Sequence, residues 1–273
     1  MLQNDRGRPK LGRSAYLALL IVGIAATAGT LLAPAGRHAS AAGQSCGIPD
    51  KPALLDHPLP HVAQRIAEGG TLTIVALGSS STWGTGASRP RYSYPSRLEV
   101  LLAARFPGLT VRVLNRGVGG EEAPDMAARI DTDVLPAHPD LVIWQVGTNG
   151  VLDGMDAARA GDIVRQGIDR IEAAGADVMI MNPQFAPAVL QHPHYRDMLH
   201  ELRAVAHEKD VPLFPRFSLM RGWADDGFMP LNKMVGRDRL HMTDASYDCL
   251  ARAVAASIVP NARPVVAADD RVS

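Results

Sequence analysis

The stretch TLTIVALGSSSTWG, residues 71–84, decides the fold. Thr71 to Leu77 is a short, nearly unbroken apolar run rich in β-branched residues, and Gly78-Ser79-Ser80-Ser81-Thr82-Trp83-Gly84 follows it without a spacer. Unbroken apolar character fits a strand buried on both faces of a parallel sheet, whereas a half-exposed strand would alternate. The small hydroxyl-bearing residues that follow then form the turn from the strand's carboxyl end into a helix, where backbone N–H groups are free to face an anion. Serines and glycines also populate such turns for capping reasons, so this segment alone carries no chemistry.

The same pattern recurs along the chain. Val111 to Asn115 (VRVLN), Leu141 to Val146 (LVIWQV), Val178 to Asn182 (VMIMN) and Val211 to Phe214 are further apolar runs. Between them lie amphipathic stretches long enough for crossover helices: Tyr94 to Phe106, Ala123 to Leu135, Ala157 to Ala174, His194 to Lys209 and Asp244 to Ile258. Five alternations of strand and helix predict a doubly wound α/β sandwich around a five-stranded parallel sheet with right-handed crossovers. Ligands of such sheets bind beyond the carboxyl ends of the strands, so the polar residues directly after each apolar run are the ones to examine.

Two more runs end in suggestive turns: Asn115-Arg116-Gly117-Val118-Gly119-Gly120-Glu121 and Val146-Gly147-Thr148-Asn149-Gly150. Near the other end, Asp238-Arg239-Leu240-His241 precedes the last helix. A serine hydroxyl is a poor nucleophile at neutral pH; it needs an imidazole to take its proton and a carboxylate to hold that imidazole in the right tautomer. An Asp and a His three apart on one loop meet this requirement.

These four segments, in this order and at these separations, resemble the blocks of the SGNH (GDSL-like) hydrolase superfamily, with Ser80, Gly120, Asn149 and His241 at the emblematic positions and Asp238 in the Asp-x-x-His pair. The resemblance covers roughly residues 71 to 258. It implies a flavodoxin-like three-layer α/β/α sandwich and a triad of Ser80, His241 and Asp238. It also implies an oxyanion hole from the Ser80 and Gly120 amides and the Asn149 side chain. Where the family's first block usually reads Gly-Asp-Ser, this chain has Ser79 in the middle; Ser79 and Ser81 stand as alternative nucleophiles, and Asp225 and Asp226 as rivals to Asp238. Trp83, Gln184, Phe185, His192, Trp223 and Phe228 are candidates for the pocket rim.

The expected chemistry is cleavage of an acyl ester, of O-acetyl or short-chain type, on a carbohydrate or other polar carrier, without a metal or cofactor. A lysophospholipase or thioesterase, an acyltransferase using the same acyl-enzyme, and an inactive carbohydrate-binding relative are the competing readings. Lys+Arg and Asp+Glu balance at 28 each, so no excess positive charge draws a polyanion and nucleic acid is not an expected partner. No CxxC pair or His/Cys cluster has metal-ligand spacing. With 273 residues, 47% hydrophobic and 21% charged, the chain reads as one ordinary globular domain, expected as a monomer.

Residues 1–41 read as an export signal. Arg6, Arg8, Lys10 and Arg13 form a basic start, Ala15 to Ala35 is uncharged, and Ala39-Ser40-Ala41 offers small residues for cleavage. If uncleaved, residues 15–35 approach the ~20 needed to span a bilayer and would anchor the protein to a membrane. Residues 42–70 form an irregular lead-in with a short helix near His61 to Glu68, 71–260 the hydrolase domain, and 261–273 a tail. In an oxidising compartment the only two cysteines, Cys46 and Cys249, are expected to pair and pin the mature N-terminus to the last helix.

Overall fold

The computed structural model describes Cys46, Leu55 and residues 57–261. The expected signal or anchor over residues 1–41 and the tail beyond 261 lie outside the described residues.

The chain runs α1 (Pro60–Glu68), β1 (Gly70–Gly78), α2 (Ser80–Trp83), α3 (Tyr94–Arg105), β2 (Leu109–Gly117) and α4 (Ala123–Ala128). It continues through β3 (Leu141–Gln145), α5 (Thr148–Asp153), α6 (Ala157–Ala173), β4 (Asp177–Met181), α7 (Pro187–Leu190) and α8 (Tyr195–Glu208). Last come β5 (Leu213–Phe214), α9 (Arg216–Asp225), α10 (Leu231–Met234) and α11 (Asp244–Asn261). The five strands form one parallel sheet in the order β2-β1-β3-β4-β5. This is the doubly wound arrangement the alternating runs predict. Its direction reverses at β1, whose neighbours β2 and β3 leave toward opposite edges. The carboxyl ends of β1 and β3 therefore open a crevice, the usual place for a ligand in such a sheet.

Burial follows the apolar runs. Leu72, Ile74, Val75, Ala76 and Leu77 of β1 and every residue of β3 are buried. Each fully buried Leu, Ile or Val side chain contributes roughly 1.5–3 kcal/mol. Helix α6 lies close on the sheet because Gly167 has no side chain: a Cβ there would stand 2.3 Å from Trp144 Cζ3. The start of α1 is held from a distance. The Asp177 carboxylate of β4 accepts the His61 and Val62 backbone N–H groups at 3.2 and 3.0 Å, capping donors that the helix itself leaves free. The expected disulfide joins Cys46 to Cys249 on α11, fastening the start of the described chain to the last helix.

Two elements differ from the sequence expectation. The helix expected over Ala123 to Leu135 ends at Ala128; a π turn at Ile130–Val134 and a 3₁₀ turn at Leu135–Ala137 follow. Pro136 lacks the N–H that would continue a helix. The segment carrying Asp225 and Asp226, to which the apolar pattern assigns no element, is the end of α9, because Phe217, Leu219, Met220 and Trp223 bury one of its faces. That burial outweighs the cost of about 1 kcal/mol for Gly222 inside a helix.

Candidate active site

The turn after β1 holds three consecutive serines with different surroundings. Gln145, at the end of β3, accepts on Oε1 the Ser79 backbone N–H at 3.0 Å, the Ser79 hydroxyl at 3.2 Å and the Thr82 hydroxyl at 3.0 Å. The Ser81 hydroxyl turns inward to Gln184 Oε1 at 3.4 Å. Ser79 and Ser81 are each 1% exposed, so their hydroxyls face the interior. The Ser80 hydroxyl alone of the three meets an imidazole, 2.8 Å from His241 Nε2.

His241 is held from its other side by Asp238, whose Oδ2 lies 2.7 Å from His241 Nδ1. The second carboxylate oxygen accepts the backbone N–H groups of Leu240 and His241, both at 3.0 Å. Partial burial pushes the Asp238 carboxyl up, but those N–H groups and the imidazole more than offset it, and it is held below the ordinary carboxylate range. Asp238 is therefore an anion wherever His241 needs a partner. The loop is pinned in turn by the Gly236 N–H on the His241 carbonyl at 2.8 Å and by a bridge between Val235 and Met242. Asp225 pairs with Arg221 on the open side of α9, and Asp226 caps that helix; neither hydrogen-bonds His241.

Gly120 follows β2 with φ +82°, a left-handed conformation that a glycine adopts without strain. At Gly119 a Cβ would stand 4.0 Å from the Ser80 Cβ, so this glycine turn runs directly beside Ser80. Asn149, in the first turn of α5, donates one amide hydrogen to the Glu121 carbonyl at 2.8 Å, which leaves its second available to another acceptor. The glycine turn has its own brace. Arg129 binds the Glu121 carboxylate at 2.6 Å and reaches the Arg116 carbonyl at 2.7 Å and the Gly78 carbonyl at 3.3 Å.

The expected rim residues separate into two groups. Trp83 is 63% exposed and lines a cleft of about 570 Å³ with Gly86, Arg89, Pro90 and Asn115. That cleft adjoins the loop that carries Asp238 and His241, since a Cβ at Gly86 would lie 3.0 Å from the His241 Cβ. Gln184, by contrast, is fully buried, accepting the Thr148 hydroxyl at 2.9 Å as well as Ser81, and so braces the floor beneath Ser80 rather than the rim. Trp223 is likewise buried, 6.4 Å from the Phe228 ring. Phe185 is half-buried and edge-on to Phe217 at 5.3 Å; His192 is half-buried in the turn before α8.

Gln145, Arg129 and Arg216 escape the sequence reading. Gln145 left a signal, a lone amide in the apolar run LVIWQV. Arg129 and Arg216 left none, because a surface and a buried arginine look alike in sequence. Among the described residues no group of three or more His, Cys, Asp or Glu is placed to hold a metal ion.

Residues 45–264 match the non-GDSL lipase-like family. The chain belongs to that family. It is a member of the SGNH hydrolase superfamily, and its five-stranded parallel sheet flanked by helices matches the fold of its structural neighbours. Over 90 residues it is 36% identical to an acetylxylan esterase from Geobacillus stearothermophilus, a match covering 33% of this chain and 38% of that protein. A two-domain esterase active on acetylated mannans superimposes with a TM-score of 0.62 at 20% identity, over 77% of this chain and 55% of that one. The structure of an acetylxylan esterase from Geobacillus stearothermophilus gives 0.58 at 21% identity, over 70% and 95%. The chain thus spans well under two thirds of the matched esterase sequence and about half of the mannan esterase, and the structural likenesses show the fold.

Proposed function

We propose that this protein is an exported serine esterase that removes O-acetyl or other short acyl groups from a carbohydrate. The observation that carries the reading is the unbroken hydrogen-bond chain from the Ser80 hydroxyl through His241 to Asp238. His241 Nε2 takes the Ser80 proton as the hydroxyl oxygen attacks the ester carbonyl, and Asp238 stabilises the imidazolium. The Ser80 and Gly120 N–H groups and the free Asn149 amide hydrogen meet the developing oxyanion. Collapse expels the carrier hydroxyl, protonated by His241, and leaves an acyl-Ser80 ester. Water, deprotonated by His241, then releases the acid and restores the serine.

Support for the carrier comes from the acetylxylan and acetylated-mannan esterases this chain is similar to, and from exposed Trp83, three residues after Ser80 on α2, whose indole face can stack on a sugar ring. Support for export comes from the basic-then-apolar start of the chain and from the Cys46–Cys249 disulfide, a bond kept in oxidising compartments. The test is acetate release from an acetylated glycan together with fluorophosphonate labelling. Wild type, Ser79→Ala and Ser81→Ala should turn over and take label, while Ser80→Ala should do neither. Labelling that persists in Ser80→Ala would place the nucleophile elsewhere.

A further inference from the structure

A second cleft, of about 450 Å³, opens beside the loop that carries Asp238 and His241, lined by Pro187, Leu231 and Val235 together with Asn232, Arg237 and Arg239. Among the described residues no Asp or Glu lines it. Both arginines are exposed, and neither forms an ion pair among the described residues. The acid between them in sequence, Asp238, is fully committed: one oxygen to two backbone N–H groups, the other to the imidazole. In a chain whose cations and anions balance, two unpaired guanidinium groups converging on one acid-free cleft form a local positive field rather than a share of a general excess.

The backbone holds this pair in place. Arg239 has φ +63°, a left-handed conformation that costs a non-glycine residue roughly 1–2 kcal/mol. Its carbonyl accepts the Ala188 N–H at 3.0 Å, which ties the arginine loop to the segment that begins at Pro187. Gly236 at the other end is tied to the His241 carbonyl. The cleft is thereby fixed relative to the catalytic imidazole. Arg239 is two residues from His241, so their Cα atoms are within ~7.6 Å.

Resting on the esterase reading above, we propose that this cleft is a carboxylate-binding subsite and that the preferred carrier is an acidic glycan, one bearing carboxylate-substituted sugars near the acyl ester. The planar guanidinium fork matches a carboxylate with two parallel hydrogen bonds, and the apolar lining of Pro187, Leu231 and Val235 accommodates the face of the ring that bears it.

The experiment compares polygalacturonate with its carboxyl-reduced, neutral form, both acetylated to the same degree, with p-nitrophenyl acetate as a third substrate. Wild type should show kcat/KM about 10-fold higher on the acidic polymer, the size expected of a charged hydrogen bond. That ratio should fall toward one in Arg237→Gln/Arg239→Gln, and in wild type as salt is raised, while Lys at both positions should keep part of it. Reading the ratio cancels any general loss of folded enzyme. Equal kcat/KM on the two polymers in wild type, or a ratio that survives the double substitution, overturns the subsite and leaves the esterase reading standing. Failure of wild type on all three substrates overturns the esterase reading and the subsite with it.

Discussion

Arg216 donates its Nε–H to the carbonyl of Asn182 at 2.9 Å from a position with no solvent exposure and, among the described residues, no carboxylate bonded to it. Its Nη2 lies 3.4 Å from the Thr148 hydroxyl, which in turn donates to Gln184, the acceptor for Ser81. Arg216 thus links the carboxyl ends of β3, β4 and β5 to the turn that holds Ser80. Replacing it with Ala empties the space of a large buried side chain and strands the Asn182 carbonyl, which should cost about 3 kcal/mol in a denaturant titration. Arg216→Met should lose less, because it refills most of the space and removes a desolvated charge. An Ala variant as stable as wild type would show that the link contributes nothing net.

The groups around Arg216 also set the alkaline limit. Burial pushes the Tyr94 phenol up to about 12, raises Tyr247 as well, and lowers Arg216 to about 10. A buried phenol favours folding while it is neutral; its contribution is complete below the unfolded value of about 10 and is lost as pH rises toward the folded value. Arg216 acts in the opposite sense, since losing its proton above about pH 10 relieves the cost of a buried charge. Two phenols oppose one guanidinium, so stability should fall above about pH 10. Tyr94→Phe should flatten that fall in melting curves taken at rising pH; an unchanged slope would assign the loss to other groups.

Asn149 has one amide hydrogen committed to the Glu121 carbonyl. If the other serves the oxyanion, Asn149→Ala should lower kcat by roughly 10² to 10³ with a smaller change in KM, because that bond forms mainly in the transition state. Equal loss in melting temperature and activity would instead make Asn149 a support for the Glu121 turn. Steady-state kinetics on one small ester, with a melting curve for each variant, separates the two.

Asp238 alone among the acids near the C-terminal loop bonds His241. Asp238→Asn keeps the shape but offers an amide where the imidazole N–H needs an acceptor, and kcat should fall by up to ~10⁴. Asp225→Asn, which disturbs only a long surface pair with Arg221, should leave kcat within about twofold. Asp226→Asn should do the same. Near-normal kcat in Asp238→Asn would move the third member of the triad elsewhere.

Much of this architecture is legible in the local chemistry of the chain. Apolar runs such as TLTIVAL and LVIWQV announce buried parallel strands because both of their faces must leave water, and that property belongs to each run alone. Asp238 and His241 can be paired on paper because three residues of one loop bring them together. Other features depend on the assembled sheet. Ser80 and His241 stand 161 residues apart, and their 2.8 Å contact is readable in the sequence only through family resemblance. Which of Ser79, Ser80 and Ser81 faces outward is decided by Gln145 and Gln184, amides from two other strand ends that draw the flanking hydroxyls inward. Gln184, a rim candidate by its position after an apolar run, lies in the interior, and nothing in the sequence around Arg216 distinguishes it from a surface arginine. A polar side chain's burial depends on partners that the strand order β2-β1-β3-β4-β5 brings beside it, and no local pattern encodes that order.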